Sequence, residues 1–459
     1  MLPWLGNWPD AGGPSLGPRA SSPASFLCAR RRAPVFPLET EIFKLPRMAI
    51  ARPMSERVDE ILRLTPVHDI HTHLYDPAFG SLFLSGIDDL LVYHYLVSEG
   101  FRQFDVPYDR FWAASKTEQA EWIWRALFIE HSPVSEACRG ILTVLRAYGL
   151  DPRQSDLGRL RSWFAAQKPA EMLERVLKIA NVASICMTNS PFDDEERPLW
   201  ERGFDRDPRF KAALRIDPLL MDWPRSSARL REWGYDVSAG RSERTVSEVR
   251  RFLADWTRRI DAGYCMVSLP PDFAYPADTD TAWLIREAVL PHGREHGQGF
   301  ALMLGVKRGV NPALKLAGDG VGRSNLDALQ NLCAENPDNR FLVTVLSRES
   351  QHEAVILARK FRNLHPFGCW WFTNTPQLIE EITTLRLELL GTSFTPQHSD
   401  ARVLDQLIYK WSHSRQVLGR CLTRKYTDLQ AAGWLVRDDE IRRDVTELLG
   451  GGFERFLRR

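Results

Sequence analysis

The alternation of short apolar runs with amphipathic segments constrains this fold more than any other sequence feature. Eight runs rich in β-branched and aromatic residues predict strands at 66–73, 182–188, 210–216, 264–269, 300–304, 341–346, 366–372 and 393–398. Segments of helical periodicity lie between most of them, at 247–262, 281–296, 324–335, 349–361 and 375–390. This alternation predicts an α/β fold, a parallel (β/α)₈ TIM-type barrel. A doubly wound sheet is the alternative, but no Gly-x-Gly-x-x-Gly turn follows the first run.

The connection between the first two predicted strands is much longer than the others. A structureless loop of that length is improbable in a compact domain. Helical periodicity recurs within it at 87–100, 116–129, 134–148, 154–163 and 169–180. We therefore expect residues 75–180 to form a helical subdomain, inserted between strands 1 and 2 and capping the barrel mouth. Segments 56–64, 404–422 and 438–457 predict further helices before and after the barrel.

Residues 1–47 differ in composition from the rest, since Gly, Pro, Ser and Arg dominate and periodicity is weak. This composition predicts a disordered extension. One interpretation is a start codon assigned too early, with Met48 or Met54 as the true start. A transit peptide is the alternative, because the stretch is rich in Arg and Ser. The predicted barrel domain then covers residues 48–459.

Composition narrows the classes of partner. The formal net charge is +1, which gives no sign of polyanion binding and argues against a nucleic-acid partner. The 7 cysteines are scattered without a Cys-x-x-Cys pair, which is typical of a reducing cytoplasm and argues against a disulfide frame. No apolar run reaches membrane-spanning length. We expect a cytoplasmic protein with a small-molecule substrate, and a homo-oligomer remains open.

Three residues at opposite ends of the chain predict a metal site. His71 and His73 close the first apolar run, and alternate side chains of a strand share a face. Asp400 follows the last run. Two neutral imidazoles and one carboxylate suit Zn²⁺ or Mn²⁺ and leave coordination positions open. In a closed barrel the first and last strands are neighbours, so these groups should converge; an isolated His-x-His without a metal is the alternative.

Four motifs, in order along the chain, resemble those of the uronate isomerase (glucuronate isomerase) family of the amidohydrolase superfamily. They are Asp69-Ile70-His71-Thr72-His73-Leu74, His94-Tyr95, Gly368-Cys369-Trp370-Trp371-Phe372-Thr373-Asn374 and Ser399-Asp400-Ala401-Arg402. The resemblance covers roughly residues 56–457. It implies interconversion of an aldose uronic acid and its ketose, such as glucuronate and fructuronate, in uronate catabolism. It also implies one divalent metal ion, usually zinc, held by the His-x-His pair and the last-strand Asp.

One position departs from the family pattern. The family's fifth strand usually carries a histidine, and Met303 stands at that place here. Methionine cannot carry a proton, and it is a poor Zn²⁺ ligand beside carboxylate. His398 lies two residues before Asp400 and could share its inward face. Our hypothesis is that His398 partly replaces the missing imidazole; the alternative is a histidine packed in the barrel wall.

Aldose–ketose isomerisation needs a base near C2, an acid for the carbonyl oxygen and a group that holds the carboxylate. Asp400 is the candidate base, or only a metal ligand. Tyr95 is a candidate proton carrier from the insert, or a core tyrosine. Arg402 is a candidate catalytic and carboxylate-binding residue, because its guanidinium offers a bidentate fork; a surface ion pair is the alternative.

Further candidates for substrate binding lie near predicted strand ends. Arg215 in strand three and Arg308 after strand five resemble arginines of the family, although structural ion pairs would also explain them. Trp370 and Trp371 alternate, so we expect one to stack on the sugar and the other to pack beneath outer helices.

Two other functions compete with isomerisation. A mononuclear metal-dependent hydrolase of the same superfamily would use the same ligands. The fourth predicted strand contains no lysine, which argues against a binuclear hydrolase. A non-catalytic barrel is the third possibility, motivated by Met303. Metal analysis separates it from the other two, which predict about one ion per chain.

Overall fold

The computed structural model describes residues 52–153 and 155–459. The predictions made for residues 1–47 lie outside these ranges. Within them, no helix is long and apolar enough to cross a membrane.

Seven parallel strands form the central sheet in the order β1-β2-β3-β4-β5-β8-β9. They are β1 Val67–Thr72, β2 Val182–Asn189, β3 Phe210–Arg215, β4 Ala262–Leu269, β5 Gly299–Leu304, β8 Phe341–Val345 and β9 Leu364–Pro366. Between β5 and β8, β6 Val306–Lys307 and β7 Gly320–Val321 form a small antiparallel hairpin that the sequence did not predict. The strand order follows the chain, as a parallel barrel requires.

An irregular eighth segment closes the sheet between β9 and β1. On one side, Gly368 N–H donates to Thr395 O (2.8 Å) and Thr395 N–H donates to Pro366 O (3.1 Å). On the other side, Asp400 N–H donates to His71 O (3.2 Å) and His73 N–H donates to Ala401 O (2.7 Å). First and last segments therefore meet, which confirms the TIM-type barrel.

The last two predicted strands are shorter and less regular than the sequence indicated. β9 ends at Pro366, and residues 393–398 make an isolated bridge instead of a strand. Proline has no N–H and cannot donate to a ladder, which limits pairing at both Pro366 and Pro396. The irregular backbone frees residues 367–372 and 396–401 to turn across the carboxyl end of the barrel.

Helices surround the sheet and fill the long first connection. Those before and within the connection are α1 Met54–Leu64, α2 Ile87–Leu91, α3 His94–Gly100, α4 Tyr108–Ala113, α5 Lys116–Trp124, α6 Glu136–Ala147, α7 Gly158–Ala165 and α8 Pro169–Ala180. The later ones are α9 Arg197–Arg202, α10 Asp217–Met221, α11 Trp223–Glu232, α12 Glu243–Ile260, α13 Asp280–Leu284, α14 Leu290–His296, α15 Asp327–Glu335, α16 Gln351–Lys360, α17 Pro376–Leu390, α18 Gln406–Ala431, α19 Asp438–Thr446 and α20 Gly452–Leu457. Short 3₁₀ or π turns cover Pro77–Leu82, Arg125–Ile129, Ile285–Val289, Pro312–Gly318, Trp371–Thr373 and Glu447–Gly451.

Helices α6 and α8 of the first connection pack against α18, which follows the closing segment. Asp405, just before α18, accepts hydrogen bonds from Ser85 Oγ (2.8 Å), the Gly86 N–H (2.9 Å) and Tyr148 Oη (2.5 Å). Farther along α18, His413 Nδ1 lies 2.6 Å from a carboxylate oxygen of Glu136 in α6. Treating residues 75–180 as a separate inserted subdomain stays a prediction.

The barrel interior has its own apolar cluster, distinct from the larger one between sheet and helices. It includes Ile70, Cys186, Ala213, Tyr264, Met266, Ala301, Met303, Val306, Leu342, Leu346, Phe367, Trp370, Phe453 and Phe456. The last two residues belong to α20, and α20 packs across the amino end of the strands. Apolar side chains therefore fill the interior at the amino end of the strands, and the polar groups of the interior concentrate at the carboxyl end of the strands.

Candidate metal centre and active site

His71, in β1, and His73, just after the end of β1, lie side by side, as the alternation predicted. Their ring centroids are 5.4 Å apart in an edge-to-face arrangement. His71 is buried, whereas the side chain of His73 is 27 % exposed. The Asp400 carboxylate approaches both, with Oδ1 3.7 Å from His71 Nε2 and 3.4 Å from His73 Nε2. The fold thus brings together groups from its first strand and its closing segment.

Thr188, at the end of β2, orients the His73 ring. Its hydroxyl donates to Thr72 O (2.9 Å) and lies 2.8 Å from His73 Nδ1. A hydroxyl has one proton, so Nδ1 must be the donor in the second contact. The lone pair of His73 therefore sits on Nε2, the atom that faces Asp400. A fixed tautomer of this kind is typical of metal-ligating histidines.

His398 joins this group. Its ring centroid is 5.1 Å from that of His71, and the residue is fully buried. Among the described residues, His71, His398 and Asp400 form a set whose candidate ligand atoms all lie within 4.8 Å of one another. His73 is not in that set, although its Nε2 is close to Asp400. His398 also packs on Phe367, with ring centroids 5.4 Å apart. Both the replacement of the missing imidazole and the barrel-wall alternative therefore stay predictions.

Backbone conformation makes room for these side chains. Gly368 has φ +68°, and a Cβ at this residue would lie 1.8 Å from His398 Nδ1. Asp400 itself has φ +51°, which is uncommon for a residue other than glycine. Strained backbone of this kind clusters at functional sites. Glycine at position 368 thus leaves the space that the His398 ring occupies beside His71.

Burial keeps the imidazoles neutral. It lowers the pKa of His71 well below its ordinary value and that of His398 to about 4, and in each the charges of neighbouring groups also contribute. Burial alone would raise the pKa of Asp400, but the close contact with His73 and the other neighbouring imidazoles hold it well below its usual range. Neutral imidazoles beside an ionised carboxylate are the protonation states that bind a divalent cation.

Several buried polar atoms at this place have no hydrogen-bond partner. They include His71 Nε2, both ring nitrogens of His398 and Asp400 Oδ1. Unpaired buried polar atoms are costly. A divalent cation would satisfy one atom each from His71, His398 and Asp400, whose candidate ligand atoms lie within 4.8 Å of one another, so the residues present fit a metal ion.

Tyr95 and His94 lie in the first turn of α3. The sequence predicted one helix over 87–100, but the chain breaks it at Tyr93, whose backbone is extended. His94 packs 4.4 Å from the Tyr95 ring and 5.1 Å from that of Trp371 (centroid distances). His94 Nε2 and Tyr95 Oη are both buried without a partner. Burial lowers the pKa of His94 to about 3 and raises that of Tyr95 well above its ordinary value.

The three predicted arginines have different surroundings. Arg402 is exposed, and among the described residues no carboxylate lies within ion-pair distance of its guanidinium. Arg215, at the end of β3, pairs with Asp217 at 3.1 Å. The negative charge of Asp217 is the main reason why the pKa of Arg215 is raised. Arg308 pairs with Asp319 across the β6–β7 hairpin, and its side chain is 56 % exposed. Arg402 is thus the predicted arginine that is free of an ion pair.

The two tryptophans do not divide between sugar and outer helices as predicted. Trp370 belongs to the interior cluster beside Phe367, because the chain has already left the strand. Trp371 starts a 3₁₀ turn with φ +46° and stacks on Phe372, with centroids 4.7 Å apart. Met303 lies in the interior cluster and is buried. At the family's histidine position, this chain therefore has an apolar side chain.

Sequence reasoning missed Thr188 and did not assign a role to His94. Thr188 is one of many threonines in strands. For Thr188 the contact with His73 depends on neighbouring strands pairing in register. No local pattern identifies such residues.

A His-x-His on the first strand and an Asp after the last, at the carboxyl end of a parallel barrel, define an enzyme of the amidohydrolase type. Comparison with solved structures identifies the branch. The chain is similar to a uronate isomerase from Bacillus halodurans C-125, with 52% identity over 88% of this chain and 96% of that one and a TM-score of 0.87. It belongs to the uronate isomerase family.

More distant structures share the fold. A uronate isomerase from Thermotoga maritima has 14% identity and a TM-score of 0.71, covering 88% of this chain and 97% of that one. A glucuronate isomerase from Caulobacter crescentus has 14% identity and a TM-score of 0.72, covering 88% and 94%. No protein-family model matches, and no curated protein matches. The similarity to the Bacillus halodurans uronate isomerase favours isomerisation over the hydrolase alternative.

Proposed function

We propose that this protein is a metal-dependent uronate isomerase, interconverting an aldose uronic acid of the glucuronate type and its ketose. The observation that carries the proposal is the buried convergence of His71, His398 and Asp400 in a chain 52% identical to a uronate isomerase. Membership of that family and a built ligand set support the same reaction.

The ligand set is proposed as His71, His73 and Asp400, with His398 as the additional imidazole. The donor atoms, nitrogen and carboxylate oxygen, suit Zn²⁺, and Mn²⁺ is the second choice. When bound, such an ion would polarise a hydroxyl or carbonyl oxygen of the substrate. Thr188 would hold His73 in the tautomer that this requires.

Proton transfer falls to residues of this chain. Asp400 is the proposed base at the carbon next to the carbonyl, because its carboxylate is ionised and buried beside the ligands. Tyr95 Oη keeps its proton through burial and has no partner, so it can donate to a substrate oxygen. Proton transfer between adjacent carbons needs a base and an acid that both contact the same part of the substrate.

Substrate binding is assigned to the groups around this centre. Arg402 can donate to substrate oxygens, since its guanidinium is not engaged in an ion pair. Trp371 presents a half-buried ring next to His94 and is the proposed sugar platform, while Trp370 supports it from inside the barrel. Arg215 stays a proposed binder, although Asp217 shares its guanidinium. Arg308 is also a proposed binder, and its guanidinium is shared with Asp319 in the exposed hairpin.

The direct test is turnover of the zinc-loaded protein with glucuronate and with galacturonate, following ketose formation. Asp400→Asn, Tyr95→Phe and His73→Ala should each lower kcat at least a hundredfold, in the range general acid–base residues contribute. Absence of turnover on both acids, with one ion bound per chain, would reject the isomerase and leave another metal-dependent reaction.

A further inference from the structure

Arg386 is a buried arginine without a counterion. It lies on the face of α17 that also buries Ile379 and Ile382, and it is 2 % exposed. Within residues 52–153 and 155–459, no carboxylate lies within ion-pair distance of its guanidinium. Burial lowers the pKa of Arg386, but a guanidinium keeps its proton at neutral pH. Burying an unpaired charge costs stability, so stability alone does not account for an arginine at this position.

The guanidinium of Arg386 donates to acceptors in two different parts of the barrel. Nη1 donates to Gly368 O, in the turn after β9, at 2.8 Å. Nη2 donates to Gln351 Oε1, at the first residue of α16, at 3.2 Å. Gln351 Nε2 in turn donates to Val345 O, at the end of β8, at 2.8 Å. Arg386 thus connects the turn after β9 to the carboxyl end of β8.

The peptide group between Gly368 and Cys369 is held at both of its polar atoms. Arg386 binds its carbonyl oxygen, and the Cys369 N–H donates to Gln397 Oε1 at 3.1 Å. Gln397 is itself held, because its Nε2 donates to Asn374 Oδ1 at 2.9 Å. A peptide group is planar, so fixing both polar atoms fixes the backbone rotation on the carboxyl side of the Gly368 Cα.

The backbone held in this way lies against His398. Gly368 has φ +68°, and a Cβ at this residue would lie 1.8 Å from His398 Nδ1. The Gly368 N–H donates to Thr395 O at 2.8 Å, which also anchors the peptide group on the amino side of the Cα. Because so little space separates the Gly368 backbone from the imidazole, rotation of either peptide group changes the space left to His398.

We propose that Arg386 is a positioning residue of the candidate metal centre, which holds the Gly368–Cys369 peptide group and thereby the place of the His398 imidazole beside His71. The inference rests on the proposed function, because it concerns the ligand set assigned there. Arg386 acts through its hydrogen bonds. Its positive charge would by itself repel a cation, so removing the charge and removing the hydrogen bonds change metal affinity in opposite directions.

The test titrates the full-length, metal-stripped protein with Zn²⁺ in competition with a chromophoric chelator. Arg386→Met removes the donors and the charge and keeps an apolar stem, whereas Arg386→Lys keeps the charge and a single ammonium group. The visible spectrum of each cobalt-loaded protein reports the geometry of the ligands. Thermal unfolding of each protein is measured in parallel.

Arg415→Met is the matched control. Arg415, in α18, is half-buried and, among the described residues, also lacks a carboxylate at ion-pair distance. Its guanidinium donates to the backbone carbonyls of Leu62 (2.9 Å), Thr65 (3.1 Å) and Asn181 (3.1 Å). These acceptors lie before β1 and β2, at the amino end of the barrel. The control therefore removes a comparable set of hydrogen bonds at the end opposite the candidate centre.

A positioning role predicts that Arg386→Met lowers zinc affinity by about 10–100-fold, the usual effect of disturbing a group that orients ligands. The cobalt spectrum of this variant should change as well. Arg386→Lys should retain part of the affinity, and Arg415→Met should keep the wild-type affinity and spectrum even where its Tm falls. Unchanged or higher zinc affinity in Arg386→Met would overturn the proposal, as would an equal loss in Arg415→Met.

Gln397→Met tests the same peptide group from its other side. Because Arg386 and Gln397 hold one peptide group, the double variant should lose less zinc affinity than the product of the two single losses. A double loss equal to that product would show two separate effects and overturn the proposal. If Arg386→Met does not fold, wild-type affinity in both Arg386→Lys and Gln397→Met overturns it.

Two outcomes separate this proposal from the proposed function. Turnover of glucuronate by the wild type, with unchanged zinc affinity and cobalt spectrum in Arg386→Met, would overturn the positioning role and leave the isomerase standing. No turnover of glucuronate or galacturonate by the wild type, with zinc affinity that depends on Arg386, would reject the isomerase and support the positioning role.

Discussion

At the scale of single residues, the absence of a side chain shapes the candidate metal centre. Gly368 lies so close to His398 that a Cβ would overlap the imidazole ring. The glycine also has a left-handed backbone, which other residues adopt at a cost. Position 368 therefore sets the place of His398, and through it the spacing of the ligand set.

Gly368→Ala should displace His398 and weaken metal binding. We expect a loss of stability of about 1–3 kcal/mol from overpacking. Metal affinity should fall by about 10–100-fold, the usual effect of disturbing a group that positions ligands. Metal content after dialysis and thermal unfolding measure the two effects.

Gly391→Ala is the matched control for this change. Gly391 also has a positive φ, +62°, but nothing lies within 4 Å of the position its Cβ would take. It should show the backbone cost without loss of metal. Equal metal affinity in the two variants would contradict the role given to residue 368.

Glu196 shows how the burial of a carboxyl group makes the stability of the fold depend on pH. It is 2 % exposed and accepts hydrogen bonds from Tyr75 Oη (2.6 Å) and Asn189 Nδ2 (2.9 Å). Burial is the largest effect and raises the pKa of Glu196 to about 7, although these hydrogen bonds act to lower it. The folded protein therefore holds this proton up to a higher pH than the unfolded chain does.

This shift predicts a stability difference between the wild type and Glu196→Gln that depends on pH. Between pH 4.5 and 7 the unfolded chain loses the proton first, so the wild type becomes less stable relative to the variant as pH rises. The change should be a few kcal/mol, at about 1.4 kcal/mol for each pKa unit, and level off above pH 7. Denaturant unfolding at several pH values measures it. Glu195→Gln, at the exposed neighbour, should show no such trend, and a parallel course of all three proteins would disprove the assignment.

At the scale of elements, Asn181 joins α8 to the start of the barrel. It ends the helix in a left-handed conformation with φ +50°. Its side chain donates to Arg63 O (3.0 Å) and Thr65 O (3.2 Å), and its carbonyl accepts from Val67 N–H (2.9 Å). One residue thus links α1, α8 and β1.

Asn181→Gly should destabilise the protein by about 1–3 kcal/mol, because two hydrogen bonds are lost while the backbone conformation stays permitted. Asp261→Gly is the control, since Asp261 ends α12 with φ +53° and its side chain is 91 % exposed. That change should stay within about 0.5 kcal/mol. Urea unfolding of both variants measures the change in the free energy of unfolding. Equal changes would show that the backbone conformation of the cap matters and that the side-chain hydrogen bonds of Asn181 do not.

Helix positions followed from the sequence better than strand lengths did. α8 was predicted with the bounds that the structure shows, because proline opens it and Asn181 ends it. The segment 87–100 was wrongly predicted as one helix, since its periodicity continues across the break at Tyr93. The strand predicted at 366–372 was also wrong. Its apolar residues are buried in the barrel interior, but most of them lie in a turn and not in a strand.

At the scale of the whole molecule, the ligand set ties the two ends of the barrel together. His71 and His73 come from the first strand and His398 and Asp400 from the closing segment, so an ion bound there would be released on unfolding. Binding to the folded state alone stabilises it, by about 4 kcal/mol when the free ion is a thousandfold above its Kd.

Removing the metal should therefore lower the unfolding temperature of the entire barrel. Calorimetry of the zinc-loaded and chelator-treated protein measures the difference. For Asp400→Asn, the zinc-loaded and the chelator-treated protein should have the same unfolding temperature, because the carboxylate that completes the proposed ligand set is gone. Identical Tm values for loaded and stripped wild type would contradict a site that spans both ends of the chain.

The sequence by itself determined the class of fold and the family, and it predicted most of the proposed ligand set. Strand–helix alternation, His71, His73 and Asp400 are local patterns, and local patterns are set by backbone periodicity and chain order. The tertiary structure decided which side chains complete the site. His398 lies against Gly368 and Thr188 against His73, and their proposed roles depend on these contacts between distant parts of the sequence. Contacts of that kind depend on strand register and packing, which are properties of the folded chain as a whole.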